Sequence, residues 1–131
     1  MYSVLLKMQK TIKNRALFTA GTAHLLHDGF TDMLYVFFPL WQVQFSLSFM
    51  VIGFMKTLFS GTMALFQVPA SALAERIGSI RLLLAGSVLT SVAVYFYGWT
   101  DSSLLLGVLL VCGGLGSSVQ HPLSSSLLTH A

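Results

Sequence analysis

Acidic, basic and imidazole side chains lie in stretches otherwise too apolar to hold them. His24, His27, Asp28 and Asp32 fall between Ala16 and Trp41, Lys56 falls between Leu47 and Ala74, and His121 lies in the apolar run that begins near Ser103. In a bilayer each such group costs about 2.5–3.5 kcal/mol on insertion scales, so intramembrane charges mark a pathway, a proton relay or a mutually neutralising pair. Carboxyl and imidazole groups can take up and release protons, and an ammonium can balance a carboxylate. Their spacing puts them together. At ~100° per residue, His24, His27, Asp28, Thr31, Asp32 and Tyr35 share one arc of about 140°. Leu26, Phe30, Met33 and Phe37 occupy the other side, suited to lipid. The second stretch repeats the design, with Lys56, Ser60 and Gln67 at i, i+4 and i+11.

Depth follows from helical rise. Asp32 lies twelve residues before Gln44 and Lys56 twelve after, about 18 Å down each arm of a helical hairpin. This predicts a pair between Asp32 and Lys56, direct or through water or substrate, with simple neutralisation as the plainer alternative. His121 precedes Pro122, which removes a backbone donor and crowds the carbonyl of Ser118, so a broken or kinked helix is expected there. Counted from Gln44 and from Asp101, His24 and His121 both lie about 30 Å along their helices and can share a level. His27 and His130 are expected to be satisfied by a neighbouring hydroxyl or carbonyl. A metal set of His24, His27 and Asp28 lacks a fourth ligand, so neither metal nor cofactor is expected.

The elements that position these groups are read from composition. Of 131 residues, 55% are hydrophobic and 8% charged, against about 25% charged in soluble domains. Mean hydropathy is +0.79. Four acids and seven bases cannot cover so apolar a chain in water, which sets aside the soluble-enzyme and nucleic-acid classes despite the net charge of +3. The lone Cys112 excludes a disulfide framework. The fold expected is an all-α integral membrane protein: a basic amino-terminal segment over 1–15, then helices at about 16–42, 47–74, 82–99 and 103–131. Lys7, Lys10, Lys13 and Arg15 precede the first span, and Arg76 and Arg81 lie between the second and third. The breaks at 42–46 and 100–103 carry no Lys or Arg. The amino terminus is therefore expected in the cytoplasm. The first helix shows no convincing cleavage site and reads as retained. The third helix, whose polarity is limited to hydroxyls, glycine, Tyr95 and Tyr97, is expected outside the bundle. Gly113, Gly114, Gly116, Ser117 and Ser118 offer the fourth helix a small-residue surface for close packing.

Ser71-Ala-Leu-Ala-Glu-Arg-Ile-Gly78 resembles the Gly-x-Leu-Ala-Asp-Arg-x-Gly loop of the major facilitator superfamily, with Glu75 for the usual aspartate, Ser71 for glycine, and the following basic residues reduced to Arg81. Three further pieces resemble that superfamily's fosmidomycin-resistance branch. They are His24-x-x-x-Asp28 with Pro39, Gln67-x-Pro69, and Gly114-Leu-Gly-Ser-Ser-Val-Gln-His-Pro122, in which Gln120 replaces an aromatic. The resemblance implies a secondary transporter, in its best-known examples a proton-driven drug exporter of the bacterial inner membrane. First and fourth helices would line a central cavity. A pathway for protons and a small organic solute would then use His24, Asp28, Asp32, Tyr35, Lys56, Gln67, Gln120 and His121, with a helix kink at Pro122. Glu75, Arg76, Gly78 and Arg81 would form a cytoplasmic gating loop.

That family builds its pathway between two six-helix halves, whereas this sequence stops in a fourth helix, with Ser124–Ala131 reading as unfinished. The partners expected are therefore the lipid bilayer, protons, a small organic solute, and a missing transporter half or partner chain. The rival readings are a truncated, non-transporting membrane fragment or assembly subunit, and a haem-binding bundle with His24 and His121 as axial ligands.

Overall fold

Each helix stops where the chain supplies a cap or a turn. The computed structural model describes residues 2–123, in which four helices follow one another: α1 (Tyr2–Gln44), α2 (Phe49–Ile77), α3 (Ser79–Tyr97) and α4 (Ser103–Ser117). No strand occurs among the described residues. At the end of α1, Ser46 adopts a left-handed conformation (φ 51°). Its amide donates to the Val43 carbonyl and that of Leu47 donates to Gln42, the paired closure of a Schellman turn. Ser48 and Ser102 then open α2 and α4, each accepting from the amide three residues on.

The basic segment over 1–15 is helical from Tyr2 and continuous with the first span in α1. Nothing interrupts it, since no proline or glycine precedes Gly21. The 43 residues of α1 span about 64 Å, twice the ~30 Å hydrocarbon core of a bilayer. Three helices are long and apolar enough to cross a membrane: Phe49–Ile77, Ser79–Tyr97 and Ser103–Leu123. The chain is an integral membrane protein. α1 has the length, but its histidines and aspartates dilute the apolar run. α4 breaks its α-helical course at a turn over 118–119 and resumes at 120–123. There the Ser118 amide is shared between the carbonyls of Gly114 and Leu115. The expected stretch 124–131, with His130, lies outside the described residues.

The helices alternate in direction, and α4 lies between α2 and α3. Gly114 sits against the Phe59 carbonyl and Thr62 of α2, while Gly116 sits against Gly86 and Thr90 of α3. A Cβ on Gly116 would lie 2.6 Å from the Gly86 oxygen. The small-residue run thus packs α4 against both neighbours at once. Between α3 and α4 this close approach carries a buried polar seam. Thr90 lies 3.4 Å from both the Gly113 carbonyl and the Ser117 hydroxyl, and Gln120 Nε2 donates to Ser87 Oγ at 2.7 Å. α3 packs chiefly on α4 and leaves Ile80, Leu84, Val88, Val92 and Tyr95 exposed, suited to lipid.

A core of Leu34, Phe38, Trp41, Met55, Phe59, Ala93, Tyr97, Leu106 and Leu110 joins all four helices at one end. A second, of Ala70, Ala74, Val119 and Leu123, closes the other. Phe37, expected toward lipid, stacks on Trp41 at 5.3 Å. Trp41 meets Tyr97 of α3 edge to face, and that contact draws this flank of α1 inward. The α2–α3 corner turns on one residue, Gly78 (φ 99°, ψ 133°), a region that L residues enter only under strain. Gly78→Ala is expected to cost about 1–3 kcal/mol. Thermal unfolding in detergent checks this, and Gly98→Ala, at an ordinary helical φ, should cost less.

Candidate functional site

The polar arc of α1 faces a cavity rather than a packed interface. α1 touches α2 and α3 only sparsely, and the space left open between α1, α2 and the end of α4 is a cavity of about 180 Å³. Asp32, Tyr35 and Thr31 line it from α1, Lys56 and Ser60 from α2, and His121 from beyond the turn in α4. Apolar walls come from Leu34, Phe38, Phe59 and Met63.

Asp32 and Lys56 therefore share one cavity, at the common depth expected from the hairpin. Among the described residues, however, they form no direct ion pair. The Lys56 ammonium lies over the Tyr35 ring, 4.8 Å from its centroid, a cation–π contact one helical turn along from Asp32. Beside the cavity, His24 Nε2 lies 3.4 Å from Asp28 Oδ2, both side chains about half exposed. The His121 ring meets two histidines of α1 edge to face, His24 at 5.3 Å and His27 at 5.6 Å between centroids. His121 thus touches the Asp28–His24 pair on one side and lines the cavity on the other. With the His24 and His121 rings in contact, no slot remains between them for a haem macrocycle. Among the described residues, no three His, Cys, Asp or Glu side chains converge as a metal's donors would.

Two residues expected in the pathway lie elsewhere. Gln120 is buried against α3, where it bonds Ser87, because the residues after the turn direct it into the α3–α4 seam. Gln67 shares the angular face of Lys56 but stands eleven residues on, about 16 Å along the helix and past the cavity. Glu75, Arg76, Gly78 and Arg81 are exposed around the α2–α3 corner. Arg76 occupies the last turn of α2, where a cation complements the helix dipole.

His27 departs from the expected arrangement. His27 is not satisfied by a hydroxyl or carbonyl. It is buried, lines the cavity, and its Nε2 has no hydrogen-bond partner. Its membership of the polar arc was the available signal. Thr31 also reaches the cavity, although its hydroxyl donates to the Asp28 carbonyl.

Such an arrangement can do two things. The Asp28–His24–His121 cluster can hold a proton and redistribute it among neighbouring acceptors, while Asp32, Lys56 and His27 can hold a small polar molecule. The comparisons with known proteins bear on the family. Residues 20–131 match the family model described as Major Facilitator Superfamily. Over 111 residues the chain is 34% identical to the Fosmidomycin resistance protein of Escherichia coli (strain K12), a match covering 79% of this chain and 25% of that protein. The chain thus spans about a quarter of the length of the curated relative it matches. No solved structure shows a significant match.

Proposed function

The chain belongs to the major facilitator superfamily, and from that membership we propose that it supplies the amino-terminal part of a proton-coupled secondary transporter. The proposed activity is efflux of a drug or metabolite of small organic type from the inner membrane, with the amino terminus in the cytoplasm. A second bundle, on the same chain or on a partner chain, would face the cavity and complete the pathway.

The observation that carries this reading is the contact of His121 with His24, which holds Asp28, alongside a cavity lined by Asp32 and Lys56. The proton would be carried by Asp28, shared with His24 and His121, and the solute by the cavity. Helix motion that separates α1 from the end of α4 would break the His24–His121 contact. Proton binding would then depend on which side of the membrane the cavity opens to. Glu75, Arg76, Gly78 and Arg81 would hold one of these states by contact with the opposite bundle.

The test is flux. Inverted membrane vesicles containing the protein, energised to an acidic interior and reporting pH by a trapped dye, are expected to lose their gradient when a transported solute is added. A protonophore is expected to abolish solute accumulation. A panel of small acids, amines and amino acids that leaves the gradient intact throughout would overturn the transport reading in favour of a non-transporting membrane fragment or subunit.

A further inference from the structure

The cavity holds two opposite charges that do not neutralise one another. Lys56 has turned its ammonium to the face of Tyr35, and Asp32, on the same wall as Tyr35, makes no ion pair with it. Both line the same open cavity, together with His27, whose buried Nε2 lacks a partner. Opposite charges that line one cavity within a membrane would gain by pairing, and two that stand unpaired there are complementary anchors. Two neighbouring polar groups of α1 are already engaged, while Ser60 stays open to the cavity. Asp28 is held by His24, and the Thr31 hydroxyl is bound to the helix backbone.

We infer that the cavity recognises a small zwitterion, whose anionic end meets Lys56 and whose cationic end meets Asp32. This inference rests on the transport reading above and names the solute class of that same site. Room is sufficient: at about 30 Å³ per water, the open cavity of about 180 Å³ already admits a solute of about six non-hydrogen atoms. Selectivity follows from what a wrong ligand leaves behind. A simple anion would satisfy Lys56 and strand Asp32, and a simple amine would do the reverse. His27 adds a hydrogen-bonding group positioned for the body of the solute. Leu34, Phe38 and Phe59 supply apolar wall beside both ends.

Three matched probes test this by calorimetry on the protein in lipid nanodiscs: β-alanine, 3-hydroxypropionate, which lacks the cation, and 3-amino-1-propanol, which lacks the anion. β-Alanine is expected to bind at least about tenfold more tightly than either, the discrimination given by one unsatisfied charge. Asp32→Asn should cost β-alanine about tenfold and bring 3-hydroxypropionate level with it. Lys56→Gln should instead bring 3-amino-1-propanol level. A structural ion pair would lower all three together and leave their order unchanged, and that result overturns the inference. So does preference for a singly charged probe in the unaltered protein, or failure of all three to bind. In each of those cases the vesicle assay still decides the transport reading, because it registers any solute that moves protons.

Discussion

Replacing Asp28 by asparagine is expected to abolish solute-driven proton movement, at least about 100-fold below the unaltered protein, while leaving the fold in place. Losing one group's part in proton transfer commonly costs 10²–10⁴-fold, and here the group would itself be the carrier. Asparagine keeps the shape and can still bond His24 at the 3.4 Å separation, but it cannot take a proton. The fold should survive because the pair is half exposed and because Thr31 bonds the backbone carbonyl of residue 28, not its side chain. Exchange of solute for solute across vesicles at equal pH needs no net proton transfer and should persist. Unchanged coupling in the Asp28→Asn protein would remove Asp28 from the mechanism.

Gly116→Ala is expected to destabilise the bundle by about 3 kcal/mol, at the upper end of what overpacking costs. The added methyl would meet Thr90 Oγ1 at 2.5 Å, the Gly86 carbonyl at 2.6 Å and the Thr90 amide at 2.7 Å. Two of these three atoms are backbone and cannot swing aside, so α3 and α4 must separate. Separation would also break the Thr90 hydrogen bonds to Gly113 and Ser117 and leave those groups unpaired. The same substitution at Gly53, where a Cβ meets nothing within 4 Å, should stabilise α2 by up to about 1 kcal/mol through helix propensity alone. Unfolding of both variants in mixed detergent measures the contrast. Equal stability would mean that α3 and α4 do not meet at Gly116.

What could be read from one chain alone follows from what is local. Apolar runs and the short polar breaks between them place the helices, because backbone hydrogen bonds in a bilayer must close within a segment. The polar arc of α1 is equally local, since helical periodicity puts His24, Asp28, Asp32 and Tyr35 on one side whatever surrounds them. Helical rise adds depth, and on depth alone Asp32 can share a level with Lys56 and His24 with His121.

Rotation, partner choice and final side-chain direction are not local, and only the tertiary structure decided them. Gln120 adjoins His121 in sequence yet turns into the α3–α4 seam, because the turn at 118–119 splits two neighbours between two environments. Lys56 could have met Asp32 by depth, but its ammonium lies over Tyr35, one turn along the same arc of α1. His27 looked like a residue some nearby hydroxyl would satisfy, and packing buried it with none. The glycines of α4 announced a close contact without saying with which helix. The answer was two helices at once, since a surface without side chains can be approached from both sides. The sequence by itself thus determined a helical membrane chain with charges gathered on facing arcs. Which of those charges touch, and which are held apart, depended on contacts between residues remote in the chain, whose geometry no local pattern encodes.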